Sequence, residues 1–291
     1  MKNSSTVEKI KLIIAMLIVG SIGIFVKNIP LPRAAIALSR ALIGTLVILP
    51  VFIAKRKQID LNNVKNNLLP LCLSGIALGF NWMLLFEAYN YTSVQVATLC
   101  YYMAPVFVIL VSPFILKEKM TVSGFICTMC AVVGAVMISG VLGGKIAGVT
   151  GILFGLAAAV LYASIIILNK KISGISGIER TFYQLFISAI VMFIYVIFTE
   201  DVSTFSLNTT QLILLVIIGV IHTGIVYILF FTSVSKLPAR SASVLSYIDP
   251  VAAIIFSAVI LNENMDIFQI AGMILIIGSA CAGELICSKK Q

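Results

Sequence analysis

The chain has few charged residues. Asp, Glu, Lys and Arg together make up 11% of its 291 residues, whereas hydrophobic residues make up 60%. A soluble domain usually carries about 25% charged residues. Because so few charges cannot cover the surface of a chain of this size in water, the composition excludes an ordinary soluble globular protein.

Several patterns typical of other protein classes are also missing. There is no Gly-rich phosphate loop and no dinucleotide-binding fingerprint, so nothing indicates the use of ATP. The apolar runs show no two-residue alternation over about ten residues, which excludes the strands of a membrane β-barrel. The net charge is +9, but the basic residues lie in short loops between apolar runs and not on one face, which excludes nucleic acid as a partner.

All six cysteines lie inside apolar runs, where a disulfide scaffold is not expected. Cys127 and Cys130 form one C-x-x-C pair, but no second pair of ligands accompanies it. We therefore interpret the cysteines as helix-packing residues, and we predict no metal site and no cofactor.

Long apolar runs dominate the chain instead. A bilayer core of about 30 Å needs about 20 helical residues, and most of the runs meet this length. The first run is short, but no small-residue cleavage site follows it, so we expect a retained helix and not a signal peptide. The runs predict ten membrane-spanning helices at roughly 12–28, 34–54, 68–88, 94–116, 121–142, 149–169, 181–199, 211–233, 239–261 and 266–287.

One passage occurs twice. Residues 93–120 and 238–265 are identical at ten of 28 positions, at a constant offset of 145 residues, which is half the chain. Five spans in each half is an odd number, so the two copies must cross the membrane in opposite orientations. The sequence therefore predicts an all-α integral membrane protein built as a 5+5 inverted repeat, with halves at 1–142 and 149–291.

The basic residues predict the orientation. With the N-terminus inside, sixteen of the twenty Lys and Arg residues fall on the cytoplasmic side and three fall outside, while Arg40 lies within a span. Because Lys and Arg are enriched in cytoplasmic loops, we expect both termini in the cytoplasm and a location in the cytoplasmic membrane.

Two ionisable residues lie near the middle of their spans. A charge at that depth costs about 2.5–3.5 kcal/mol on insertion scales, so Asp249 and His222 should face protein or water. The repeat mate of Asp249 is Ala104, so the duplicated scaffold does not itself require an acid there. Asp249 is a candidate to pair with a cationic substrate or to carry a proton; the alternative is a neutral carboxyl that satisfies backbone groups. His222 is a candidate proton relay or is bonded to a neighbouring hydroxyl.

Other residues complete the candidate site. Pro105 and Pro250 occupy equivalent positions, and each removes a backbone donor, which predicts paired helix bends around a central cavity. Arg40 is a candidate contact for an anionic group, and Glu87 is a candidate outer gate. The predicted substrate-binding residues, which combine aromatic walls, hydroxyls and one acid, are Trp82, Tyr101, Tyr102, His222, Ser246, Tyr247 and Asp249.

Further motifs lie in and after the spans. They are the segment 38–42 (LSRAL), the two mid-span prolines, Glu118 and Glu263 after the fourth and ninth spans, and Gly272 and Gly278 in the last span. With these motifs the whole chain resembles the EamA branch of the drug/metabolite transporter superfamily. The resemblance implies that helices 1–4 and 6–9 surround a central cavity and that helices 5 and 10 pack behind it. It also implies transport of amino acids, other metabolites or cationic drugs, commonly outward.

These observations predict a secondary transporter and not an enzyme. It would move a small, amino acid-like or cationic amphipathic metabolite by alternating access, with a proton as the candidate coupling ion, as a monomer or a homodimer in the lipid bilayer. Two rivals are an intramembrane enzyme, such as a lipid-group transferase, and a non-transporting membrane sensor or scaffold. One histidine and one mid-span Asp are a thin catalytic set, and an enzyme would leave the repeat unexplained. A sensor or scaffold predicts no midplane cavity and no solute flux.

Overall fold

The computed structural model describes residues 2–54, 61–115, 122–138, 148–234, 236–237, 245–246 and 248–287, and these contain helices and no strand. The α-helices are α1 Lys2–Gly20, α2 Ile22–Lys27, α3 Arg33–Ala54, α4 Leu61–Asn66, α5 Leu68–Tyr91, α6 Val94–Tyr101, α7 Ala104–Ile115, α8 Val122–Ile138, α9 Val149–Lys171, α10 Gly177–Thr199, α11 Thr209–Gly219, α12 Val226–Val234, α13 Ile248–Ile260 and α14 Ile267–Cys287.

Many of these helices, alone or joined end to end, form apolar segments long enough to cross a membrane. Within the described residues, seven segments qualify by length and composition. They are Thr6–Lys27, Arg33–Ala54, Leu68–Tyr91, Val94–Val111, Val149–Lys171, Gly177–Thr199 and Thr209–Val234. Three shorter apolar helices lie at Phe125–Met137, Ile248–Ile260 and Ile267–Ser279. The prediction of an all-helical membrane protein is therefore confirmed.

Three of the seven segments contain a break. A Gly-Ser step is a common site of helix interruption, and the first segment breaks at Ser21, between α1 and α2. The fourth segment breaks between Tyr101 and Ala104, so that Pro105 lies in the first turn of α7, where its missing N–H costs no helical hydrogen bond. A π-helical turn, Val220–Ile225, separates α11 from α12.

The helices pack in a pattern that pairs the two halves of the chain. Helix α5 packs along α9, and α1 packs along α12 and α13. Helix α3 packs against α10, and α8 packs against α14. Buried apolar side chains between α3, α5, α9 and α10 form the largest hydrophobic cluster, which has Ile36, Phe86, Leu185 and Met192 at its centre.

Candidate functional site

A cavity of about 410 Å³ lies between the two halves of the chain. This volume is within the range of pockets that bind small molecules, about 300–1,000 Å³. The cavity is mostly apolar, with a few charged and hydroxyl groups on its wall. Six of the residues that the sequence singled out line it: Arg40, Trp82, Tyr101, Tyr102, Ser246 and Asp249.

Two predicted residues are placed elsewhere, and a third is not described. His222 is buried behind the wall, where its Nε2 lies 2.9 Å from the Ser21 hydroxyl and its ring packs edge-on against Phe25. Glu87 lies near the end of α5 and accepts a hydrogen bond from Asn90 of the same helix. Tyr247 lies outside the described residues.

Arg40 places a positive charge on the cavity wall. Its side chain is only 5% exposed, and its guanidinium carbon lies 3.9 Å from the centroid of the Trp82 ring. The Arg40 Nε donates a hydrogen bond of 2.9 Å to the Thr223 hydroxyl. Among the described residues, no carboxylate forms an ion pair with this guanidinium. The cation is held by a ring face and a neutral oxygen, which leaves it able to attract an anion.

Asp249 places an acidic side chain on the same wall. It lies in the first turn of α13, and it accepts a hydrogen bond from the Tyr102 hydroxyl. The side chain is partly exposed to the cavity. A carboxylate has two oxygens and about four acceptor positions, so one bond from a tyrosine leaves capacity for a further donor.

Several cavity residues were not predicted from the sequence. Tyr227 lines the cavity at the offset of 145 residues from Trp82, just as Ser246 does from Tyr101. Applying the repeat offset to every candidate would therefore have found Tyr227. Tyr162 lies on the wall and stacks on Tyr101 with a centroid distance of 5.1 Å, but nothing in its own sequence context marks it.

Comparisons with known proteins agree with this architecture. A family model described as the EamA-like transporter family matches residues 9–140 and again residues 149–282. The chain belongs to this family. It is thus a membrane transporter of the drug/metabolite transporter superfamily, as the sequence resemblance indicated.

Individual relatives carry the same description. The chain is 32% identical over 271 residues to the uncharacterized transporter YxxF of Bacillus subtilis (strain 168), covering 92% of this chain and 86% of the relative. It is 26% identical to an uncharacterized transporter of Clostridium kluyveri, covering 81% and 78% of the two chains. A crystal structure titled only "Crystal structure of protein" superposes with a TM-score of 0.64 at 18% identity, covering 98% and 99% of the chains, which supports the fold alone.

One end of this EamA-like transporter is bound together around Glu263. The carboxylate of Glu263 accepts hydrogen bonds from the backbone amides of Val94 and Gln95 at the start of α6, at 3.2 and 3.5 Å. It also forms an ion pair with Lys27 and a hydrogen bond with Ser257. A helix start has unsatisfied amides, and an acid is favourable there. Glu263 therefore ties the α13–α14 connection of the second half to two helices of the first.

The opposite end is joined by other polar contacts. Glu8 of α1 is 5% exposed and accepts a hydrogen bond of 3.1 Å from Lys236, which follows α12. Asn67 exchanges hydrogen bonds with the backbone of Ser173, at 3.0 and 3.2 Å. In this structure the cavity thus lies between two ends at which polar groups join the halves.

Proposed function

We propose that the chain is a secondary transporter that moves a small, amino acid-like metabolite across the cytoplasmic membrane by alternating access, in the outward direction. The observation that carries this proposal is the placement of Arg40 and Asp249. One is a buried base and the other a partly exposed acid; they line one cavity between the halves and do not form an ion pair with each other.

Two separated charges suit a substrate that itself carries both signs. A buried charge is costly unless it is paired, and a zwitterion supplies a carboxylate for Arg40 and an ammonium group for Asp249 at once. The guanidinium presents its donors in a planar fork that matches a carboxylate. Substrate binding would therefore pair both charges and offset the cost of holding them in the cavity wall.

The aromatic wall supports an amphipathic substrate. Trp82, Tyr101, Tyr102, Tyr162 and Tyr227 all line the cavity. Aromatic faces supply apolar contact area, and they also attract cationic groups by about 0.5–2 kcal/mol. The wall thus suits an amino acid with an apolar side chain or a related cationic amphiphile.

The packing of the helices supports ten spans in two inverted halves, 1–142 and 149–291. Under the repeat, α1 corresponds to α9, and α5 corresponds to the segment from α11 to α12. The contact of α1 with α12 then mirrors that of α9 with α5. The pairs α3–α10 and α8–α14 each join a helix to its own mate. Related halves of this kind can exchange conformations around a central site.

The direction and the driving force follow from other features. The excess of Lys and Arg in one set of loops supports a cytoplasmic position for both termini. Outward transport is what the family resemblance suggests. A proton gradient is the proposed driving force, because Asp249 is a titratable carboxyl on the cavity wall.

Thermal unfolding of the purified transporter tests this function. A ligand in hundredfold excess over its Kd stabilises the folded state by about 2.7 kcal/mol, so binding raises Tm. We expect at least one apolar amino acid to raise Tm, and its amide and its N-acetyl derivative, which each lack one charge, to have much smaller effects. If the amide and the N-acetyl derivative stabilise the protein as well as the parent amino acid, recognition of a zwitterion is wrong.

A further inference from the structure

The π-helical turn Val220–Ile225 contacts a residue of the cavity wall through Thr223. In a regular α-helix each backbone hydrogen bond spans four residues, whereas in a π turn it spans five. The extra residue changes which side chains face a given neighbour. Here the Thr223 hydroxyl donates a hydrogen bond of 3.1 Å to the carbonyl of Ile218, five residues earlier. The same hydroxyl oxygen accepts the bond of 2.9 Å from Arg40 Nε.

Close packing fixes the orientation of Thr223. The residue is 0% exposed, and its methyl group faces Gly44 of α3, where an added Cβ would lie 2.6 Å from Thr223 Cγ2. Gly219 and Gly224 bring α3 equally close on either side of Thr223. Because a β-branched side chain has few rotamers, packing of the Thr223 methyl group against Gly44 directs the hydroxyl toward Arg40.

This arrangement occurs once among the described residues, with Arg40 in the first half and Thr223 in the second. The offset of 145 residues relates Thr223 to Leu78, which lies in the uninterrupted helix α5. The same offset relates Arg40 to Leu185. The π turn, its hydroxyl and the cation it contacts therefore occur together, and the repeat replaces both polar residues by leucine.

We propose that Thr223 is a positioning residue for Arg40. By accepting the Nε hydrogen, it holds the guanidinium over Trp82 and leaves the two terminal nitrogens directed to the cavity. A carboxylate binds these two nitrogens in the bidentate manner that a guanidinium favours. This inference rests on the proposed function, in which Arg40 receives the carboxylate of the substrate.

The chain has a single tryptophan, so the placement of Arg40 can be measured directly. Iodide, an anion, and acrylamide, a neutral molecule, both quench tryptophan fluorescence. The guanidinium beside Trp82 should attract iodide, so the ratio of the iodide to the acrylamide quenching constant reports the positive charge at the ring. The assay needs no substrate and no transport.

Four variants of the full-length purified protein make the test specific. T223V removes the acceptor at nearly constant volume, and T223S retains it. R40Q gives the ratio of the two quenching constants in the absence of the Arg40 charge. The matched control is T45V. Thr45 is a buried threonine of α3, as Thr223 is a buried threonine of the π turn, but its hydroxyl donates to the carbonyl of Ala41 and does not contact Arg40.

We expect T223V to lower the quenching ratio about twofold, toward that of R40Q, because the interaction of a unit charge falls with distance. T223S and T45V should keep the wild-type ratio. A wild-type ratio in T223V, or in R40Q itself, would overturn the proposal. If no amino acid binds the wild-type protein but the ratios follow this pattern, the proposed function fails while the positioning role stands.

Discussion

The Tyr102 hydroxyl donates a hydrogen bond to the Asp249 carboxylate, and this bond joins the two halves of the chain at the cavity. Tyr102 directly follows α6, and Asp249 lies in the first turn of α13. In the duplicated passage Asp249 corresponds to Ala104, which is two residues after Tyr102. A substrate ammonium group that approaches Asp249 would compete with this bond, which links binding to the contact between the halves.

The first prediction concerns the charge of Asp249. Asp249→Asn keeps size and hydrogen bonding but removes the titratable group, so it should abolish gradient-driven transport while expression stays normal. Loss of binding at every pH indicates a counter-ion for the substrate. Retained binding with lost pH dependence indicates a proton carrier. Flux measured at several proton gradients in liposomes separates these outcomes.

The matched control for Asp249 is an acid at the start of another helix. Asp266→Asn changes an exposed acid that caps α14 through the amide of Gln269, at 2.7 Å. This variant should transport at the wild-type rate. Wild-type flux in Asp249→Asn at every gradient tested would show that the carboxyl only satisfies neighbouring groups.

The second prediction concerns the ring beneath Arg40. Trp82→Ala should weaken substrate binding by about two- to thirtyfold, the range that corresponds to a cation–π contribution of about 0.5–2 kcal/mol. Trp82→Phe should retain part of the affinity, because a smaller ring still offers a face to the guanidinium. Isothermal titration of well-folded variants measures both. Unchanged affinity in Trp82→Ala would assign the ring to packing alone.

The third prediction concerns the end bound by Glu263. Glu263→Gln should lower the free energy of unfolding by about 1–3 kcal/mol, since buried amides lose a charged acceptor. It should also favour opening at that end. A cysteine introduced at Ala253 in the cavity wall, in a cysteine-free background, should then react faster with an impermeant thiol reagent added outside intact cells.

Glu87→Gln is the control for this experiment. The Glu87 side chain bonds to Asn90 within its own helix, so the change should leave both the stability and the labelling rate close to wild type. Equal labelling rates in Glu263→Gln and wild type would show that Glu263 does not hold that end closed. Faster labelling in Glu87→Gln would instead support the gate role that the sequence predicted for it.

The fourth prediction concerns orientation. Single cysteines at positions 56 and 171 should be protected from an impermeant reagent on intact cells, whereas those at 145 and 200 should be labelled. The sixteen-to-three bias of basic residues motivates this. Labelling at 56 together with protection at 145 would contradict both the orientation and the inverted repeat.

Much of the architecture could be predicted because its signals are local. Apolar runs of about 20 residues reveal spans without knowledge of neighbours. A constant offset reveals duplication, and it relates Trp82 to Tyr227 on the cavity wall. Asp249 was recognised because an ionisable residue at mid-span is costly wherever the helix packs.

The remaining features depend on which helices meet. The π turn adds one residue to a helical repeat, and neither composition nor periodicity shows where Thr223 then points. His222 bonds to Ser21, which is 201 residues away in the chain, so its place behind the cavity wall follows only from the packing of α1 against the π turn. The sequence marks Glu263 only as part of a family resemblance, and its bonds to α6 follow only from the packing of the helices.

The most direct test of the account is efflux from liposomes that contain the purified transporter. The liposomes are loaded with an equimolar mixture of amino acids, a proton gradient is imposed, and mass spectrometry follows each compound outside. We expect at least one apolar amino acid to leave faster than from protein-free liposomes, without ATP, and this excess to vanish in Asp249→Asn and to fall strongly in Arg40→Gln. Efflux of every amino acid at the protein-free rate, under gradients of either sign, would contradict the account.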